Sequence, residues 1–137
     1  MKIYFSCSIT GGRNDQVIYA AIVAWMLGQG QEVLTAHLVK TEALTMEADL
    51  LPQTVFKRDI AWVDAAEVMV AEVSTPSHGV GYEVAYAVMT GKPVLCLARE
   101  GVKVSKMISG NDRLTFVRYR EEGEAMRAVE GFLKRGW

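Results

Sequence analysis

The chain reads as an α/β protein: one domain over residues 1–137, flavodoxin-like or Rossmann-like, with a five-stranded parallel sheet of order 2-1-3-4-5 and helices on both faces. Two observations predict it. Short β-rich runs alternate with longer stretches of helical spacing, and the central runs, such as Val94 to Ala98, are apolar without the alternation of a half-solvated strand. Strands buried on both sides belong to parallel sheets covered by crossover helices. In the order 2-1-3-4-5 the strand sequence reverses between the first and third strands. Ligands are therefore expected beyond their carboxyl ends, at Cys7 to Arg13 and Ser74 to Gly79.

The first strand is expected at Lys2 to Ser6. After Gly11-Gly12, the stretch from about Asp15 to Leu27 has Ile18, Ile22, Trp25 and Met26 at the spacing of a buried helical stripe, and Gly28 and Gly30 supply its stop. A short strand, Glu32 to Thr35, follows. The next segment shows no clear period until Val55 to Ala65, where Phe56, Ile60 and Val63 mark a helix with Asp59 turned away from Ile60. Glu67 to Val73 reads as a strand and Gly79 to Thr90 as a helix. Gly91-Lys92-Pro93 breaks that helix before the strand Val94 to Ala98. A strand at Thr115 to Tyr119 and a helix from about Glu121 to Lys134 close the series, with Glu121 to Glu124 as an acidic first turn.

Composition narrows the function. Fifteen basic residues against sixteen acidic ones, with no basic run, disfavour polymeric nucleic acid as a partner. Cys7 and Cys96 are far apart and form no CxxC pair, so reduced thiols in a cytoplasmic protein are expected rather than a disulfide scaffold or zinc ribbon. No His, Cys, Asp or Glu cluster has recognised metal spacing, and no cofactor motif is complete. The opening Met1-Lys2-Ile3-Tyr4-Phe5 lacks the parts of a signal peptide, and no apolar run approaches a membrane span, so no membrane association is expected.

Both switch-point loops are small and polar. The second, Ser74-Thr75-Pro76-Ser77-His78-Gly79-Val80-Gly81, opens a helix whose free N–H groups suit a phosphate monoester, although glycine-rich turns also occur without ligands. Glu83 is expected in the first turn of that helix. It is either an acidic residue complementing the helix dipole or a carboxylate nucleophile aimed into the cleft, with Asp59 and Tyr4 as candidate supports. Cys7 has no cationic neighbour to activate it, and Trp25 and Trp62 read as core or subunit-interface residues. His37, beside the second strand, is either structural or a contact to sugar or base.

Taken together, Ile3 to Arg13, Asp59-Ile60-Ala61-Trp62 and Ala71 to Glu83 closely resemble the 2'-deoxynucleoside 5'-phosphate N-hydrolases of the nucleoside 2-deoxyribosyltransferase superfamily. The likeness continues through Gly91 to Leu97, Ser105-Lys106-Met107-Ile108 and Glu121 to Glu124, nearly the whole chain. The resemblance implies that Glu83 attacks the anomeric carbon and expels the base, leaving a glycosyl ester that water hydrolyses. It implies that Asp59 binds the sugar and handles protons, and that Tyr4 orients the nucleophile. Ser8, Ile9, Gly11, Arg13, His37, Ser77, Gly79 and Ser105 match substrate-binding positions, and Ser105 is expected from the other subunit of a homodimer. The chain departs from its relatives at Thr10, where they carry arginine; Arg13 is a nearby substitute.

The expected activity is cleavage of deoxynucleoside 5'-monophosphates to a free base and 2-deoxyribose 5-phosphate. The alternatives are a deoxyribosyltransferase, a ribonucleotide N-glycosidase acting on substrates such as cytidine monophosphate, and a nucleotide-binding module without turnover. An intact Glu83, Asp59 and Tyr4 set favours an enzyme over the module, because binding alone needs no nucleophile.

Overall fold

The structure, a computed structural model, describes residues 1–9, 15–40 and 42–136, without the side chain of Leu44. Its elements are β1 (Lys2–Ser6), α1 (Gln16–Gly28), β2 (Glu32–Val33), a 3-10 turn (Ala36–Val39), α2 (Ala43–Ala48), α3 (Pro52–Ala65), β3 (Val68–Glu72), α4 (His78–Met89), β4 (Val94–Arg99), α5 (Lys106–Ser109), β5 (Thr115–Tyr119) and α6 (Glu122–Leu133). All neighbouring strands pair in parallel and the order is β2-β1-β3-β4-β5, as the alternating pattern predicts.

Strand alternation divides the core in two. Ile3, Phe5, Val68, Val70, Leu95 and Leu97 pack on one face against Tyr19, Ile22, Val23 and Met26 of α1 and Ala125, Val129 and Phe132 of α6. Tyr4, Met69, Ala71, Cys96 and Ala98 pack on the other against Val63 of α3 and Val80, Val84, Ala87 and Val88 of α4. Each large apolar side chain buried this way contributes about 1.5–3 kcal/mol.

Helices α1 and α4 stop by the same device. Gly30 and Gly91 take φ of +76° and +79°, a region that costs glycine nothing. Their N–H groups, and those of Gln31 and Lys92, return to carbonyls of the last helical turn at 2.9–3.2 Å.

Several boundaries and faces differ from expectation. The strand expected at Glu32 to Thr35 pairs only through Glu32 and Val33. Thr35 turns its hydroxyl inward, where it accepts from the Phe5 N–H at 3.0 Å and donates to the Phe5 carbonyl at 2.7 Å. The buried stripe of α1 includes Tyr19 and Val23, while Ile18 and Trp25 are only partly buried against it. Phe56, expected in the core, is 53% exposed and meets the ring of Tyr82 edge-on at 6.1 Å. Helix α2, the 3-10 turn and α5 have too few residues to show a period.

At the carboxyl edge of the sheet, the buried Asp15 accepts a hydrogen bond from the Thr75 hydroxyl and pairs with Arg99. The start of α1, the loop after β3 and the end of β4 thus meet at one carboxylate.

Candidate active site

Ser77 begins α4 as its N-cap, its hydroxyl accepting from the Val80 N–H at 3.4 Å. Because the helix starts at His78, Glu83 lies in its second turn and not, as expected, in its first. The dipole fades within one turn, so a dipole role for Glu83 loses its basis. What the helix does provide is aim. Val80, Val84 and Ala87 face the core, and Glu83, on the adjoining flank, is presented to β1.

Tyr4 and Ser6, two apart on β1, point to the same side of the sheet. The Tyr4 hydroxyl donates to Glu83 Oε1 at 2.9 Å and the Ser6 hydroxyl donates to Oε2 at 2.5 Å. Each carboxylate oxygen thus has one hydroxyl partner. Burial raises the Glu83 pKa above the usual carboxylate range; the hydroxyls of Ser6 and Tyr4 pull it down, the charge of Asp59 adds to the rise, and Arg58 opposes it. Burial, Glu83 and Asp59 push the Tyr4 phenol far above its ordinary value, so Tyr4 stays a donor and is no base.

Asp59 is carried on α3, partly buried and within electrostatic range of Tyr4 and Glu83. Arg58 Nε donates to Asp59 Oδ1 at 2.8 Å, and its two terminal nitrogens donate to the two oxygens of Glu47 on α2 at 2.8 and 2.9 Å. The guanidinium lies 4.7 Å from the centre of the Trp62 ring, which meets His37 edge-on at 5.2 Å. Trp62 is partly buried, packing against the core on one side and meeting Arg58 and His37 on the other. Burial first, and the Arg58 charge next, lower the His37 pKa, which favours neutral imidazole near pH 7.

The remaining candidates are distributed around this centre. Ser8 is buried and Ile9 partly exposed at the end of β1, while Thr10, Gly11 and Arg13 lie outside the described residues. Ser77, Gly79 and Ser105 line an open cleft of about 660 Å³ together with Lys103 and Asn111. Its lining includes neither Glu83 nor Tyr4 nor Asp59; it runs along the flank of α4 formed by Val80, Gly81, Val84 and Ala85. Ser105 thus shares a cleft with Ser77 and Gly79 of its own chain. The thiol of Cys7 is pushed up to about 12 by burial and by the charges of Glu83 and Glu72, so it is no nucleophile.

Sequence reasoning did not single out Ser6, Arg58 or Glu47. Ser6 was accessible through the two-residue period from Tyr4, whereas Glu47 sits on a short helix without a readable pattern. Among the described residues no group of three His, Cys, Asp or Glu side chains is arranged to hold a metal ion, and no helix is long and apolar enough to cross a membrane.

Residues 3–125 match the family model described as nucleoside 2-deoxyribosyltransferase. The chain belongs to this family. It is 43% identical over 145 residues to the 5-hydroxymethyl-dUMP N-hydrolase of Mus musculus, covering 98% of this chain and 83% of the mouse protein. To the protein of the same name from Rattus norvegicus it is 46% identical over 113 residues, covering 80% of this chain and 69% of the rat protein. Among solved structures, the CMP N-glycosidase of Clostridium botulinum superimposes with a TM-score of 0.74 at 16% identity, over 96% of this chain and 99% of that one. At that identity the likeness concerns the fold.

Proposed function

We propose that the chain hydrolyses the N-glycosidic bond of 2'-deoxynucleoside 5'-monophosphates, releasing a free base and 2-deoxyribose 5-phosphate. The observation that carries this reading is the Glu83 carboxylate gripped by the hydroxyls of Tyr4 and Ser6, with Asp59 in electrostatic range, in a chain 43% identical to a deoxynucleotide N-hydrolase.

A Glu83 oxygen attacks the anomeric carbon as the bond to the base breaks, and the base leaves with the bonding electrons and takes a proton from solvent, to which Asp59 later returns the one it removes from the attacking water. The resulting glycosyl ester is attacked by water at the same carbon, releasing the Glu83 carboxylate and the sugar phosphate. Tyr4 and Ser6 fix the carboxylate in one orientation. Asp59 holds the sugar and takes the proton of the attacking water. Ser8, Ser77 and Gly79 receive the 5'-phosphate, with the α4 N-terminus supplying N–H donors; Ile9, Gly11 and Arg13 are further substrate-binding positions, and His37 approaches the sugar or base.

The direct test is incubation of the purified protein with a panel of deoxynucleotides, nucleosides and ribonucleotides, followed by chromatography of the free bases. Release from deoxynucleotides in preference to the other two supports the reading. Formation of a new nucleoside when a second base is added, at the expense of free sugar, makes the protein a transferase instead.

The active form in this reading is a cytoplasmic homodimer in which Ser105 of the partner subunit completes the phosphate pocket. The cleft that Ser105 shares with Ser77 and Gly79 favours a second arrangement, with Ser105 serving its own chain. Mixing Glu83→Ala with Ser105→Ala chains separates the two. Exchange between subunits gives one intact site per heterodimer in the first arrangement and none in the second, so activity returns only in the first.

A further inference from the structure

Arg58 and Asp59 are consecutive on α3, where neighbouring side chains point about 100° apart and do not face each other. Their 2.8 Å contact therefore needs Arg58 to be held from outside the helix. Two groups do this. Glu47 on α2 accepts both terminal nitrogens in a fork, and Trp62, one turn along α3, supports the flat face of the guanidinium at 4.7 Å. Held there, the guanidinium turns its Nε edge to Asp59: Nε donates to Oδ1 at 2.8 Å, and one terminal nitrogen also lies 2.8 Å from that oxygen.

We propose that Arg58, locked by Glu47 and Trp62, is a positioning residue that keeps Asp59 a fixed carboxylate beside Tyr4 and Glu83. The inference rests on the hydrolase reading and assigns this chain a residue pair outside that reading. The groups facing Asp59 are Arg58 on its own helix, Glu47 from α2, His37 from the 3-10 turn, Tyr4 from β1 and Glu83 from α4. Arg58 is the one permanent cation among them, set against the carboxyl groups of Glu47, Asp59 and Glu83. Without it, Asp59 gains a proton at higher pH and loses its orientation. Lysine restores the charge without the fork.

The test compares Arg58→Met, Arg58→Lys, Glu47→Gln, Asp59→Asn and the double Arg58→Met/Asp59→Asn variant with the unmodified protein. Base release from 5-hydroxymethyl-dUMP is followed across pH, and the Asp59 carboxyl is titrated by carbon-detected NMR without substrate. Arg58→Met is expected to lower kcat by about a hundredfold with little change in KM, the range of a misplaced acid-base group. It should also raise the Asp59 midpoint. Arg58→Lys should restore the midpoint but only part of kcat, and Arg58→Met should cost nothing further once Asp59 is Asn. Losses that multiply in the double variant, or an Asp59 midpoint unmoved by loss of Arg58, overturn the proposal. If Arg58→Met does not fold, Arg58→Gln, which also removes the charge, takes its place in the same comparison. An unmodified protein that releases no base from any deoxynucleotide sinks the hydrolase reading, and the NMR midpoints still decide whether Arg58 governs Asp59.

Discussion

Two carboxylates, Glu83 and Glu72, sit on opposite faces of the sheet near its carboxyl edge and are held in almost the same way. Glu83 accepts from the hydroxyls of Tyr4 and Ser6; Glu72 accepts from those of Tyr119, at 3.0 Å, and Ser74, and from the Ser74 N–H at 3.3 Å. Burial raises the pKa of both. The difference is access. Glu72 belongs to a strand and is fully enclosed, and the hydroxyl of Ser74 in turn accepts from the Arg99 N–H at 2.7 Å, so its partners tie loop to strand. Glu83 projects from a helix flank, is partly exposed and has a second acid in electrostatic range. The same pair of hydroxyl partners thus holds one carboxylate enclosed in the core and another partly exposed with a second acid in range.

Removing the charge at each position separates the two carboxylates most clearly. Glu83→Gln should keep the fold and lose at least about a thousandfold in kcat, the scale on which essential nucleophiles fail. Near-normal turnover by this variant ends the assignment of Glu83 as nucleophile. A smaller effect is expected from the hydroxyls. A hydrogen bond to a charged group contributes about 1.5–3 kcal/mol, so Tyr4→Phe and Ser6→Ala should each lower kcat/KM by about 10–100-fold. Both donors hold the Glu83 pKa down, so its loss of charge on acidification should begin at higher pH in either variant. Kinetics in which the acidic limb stays in place would separate the hydroxyls from Glu83.

The smallest kinetic effect is expected at Glu72. Glu72→Gln should leave kcat near that of the unmodified protein and change the pH dependence of stability. The Glu72 pKa in the folded chain is raised above its ordinary 4.5. Its contribution is therefore most favourable below that value and is lost as pH rises through the folded pKa. Glutamine cannot ionise, so denaturant titrations from mildly acidic to neutral pH should show that decline flattened. An unchanged profile would mean that Glu72 does not titrate in this range.

The legible part of the molecule is the part with period. Strands β1, β3 and β4 and much of α1 and α4 follow their apolar spacing, and the order 2-1-3-4-5 follows from their alternation; of the α3 stripe only Val63 is buried. Tyr4, Asp59 and Glu83 were legible as a set through motif resemblance, while their convergence required the fold. Glu47 and the 3-10 turn carrying His37 were not, because a six-residue helix and a single turn make no stripe, and their positions depend on packing over the α3 side. The end of β2 was misread for a related reason: Thr35 has the branched side chain of a strand residue, yet its hydroxyl competes for the backbone groups a strand would use.

That threonine also bears on how the end of β1 is closed off. A short edge strand leaves the next strand exposed beyond its end, and free N–H and C=O groups there are templates for pairing with another chain. By donating and accepting at Phe5 at once, the Thr35 side chain occupies the backbone that β2 stops short of reaching, so that part of β1 offers no docking row to a stray strand. Thr35 and Phe5 are both buried, so one hydroxyl completes the pairing of β1 inside the fold without lengthening the sheet.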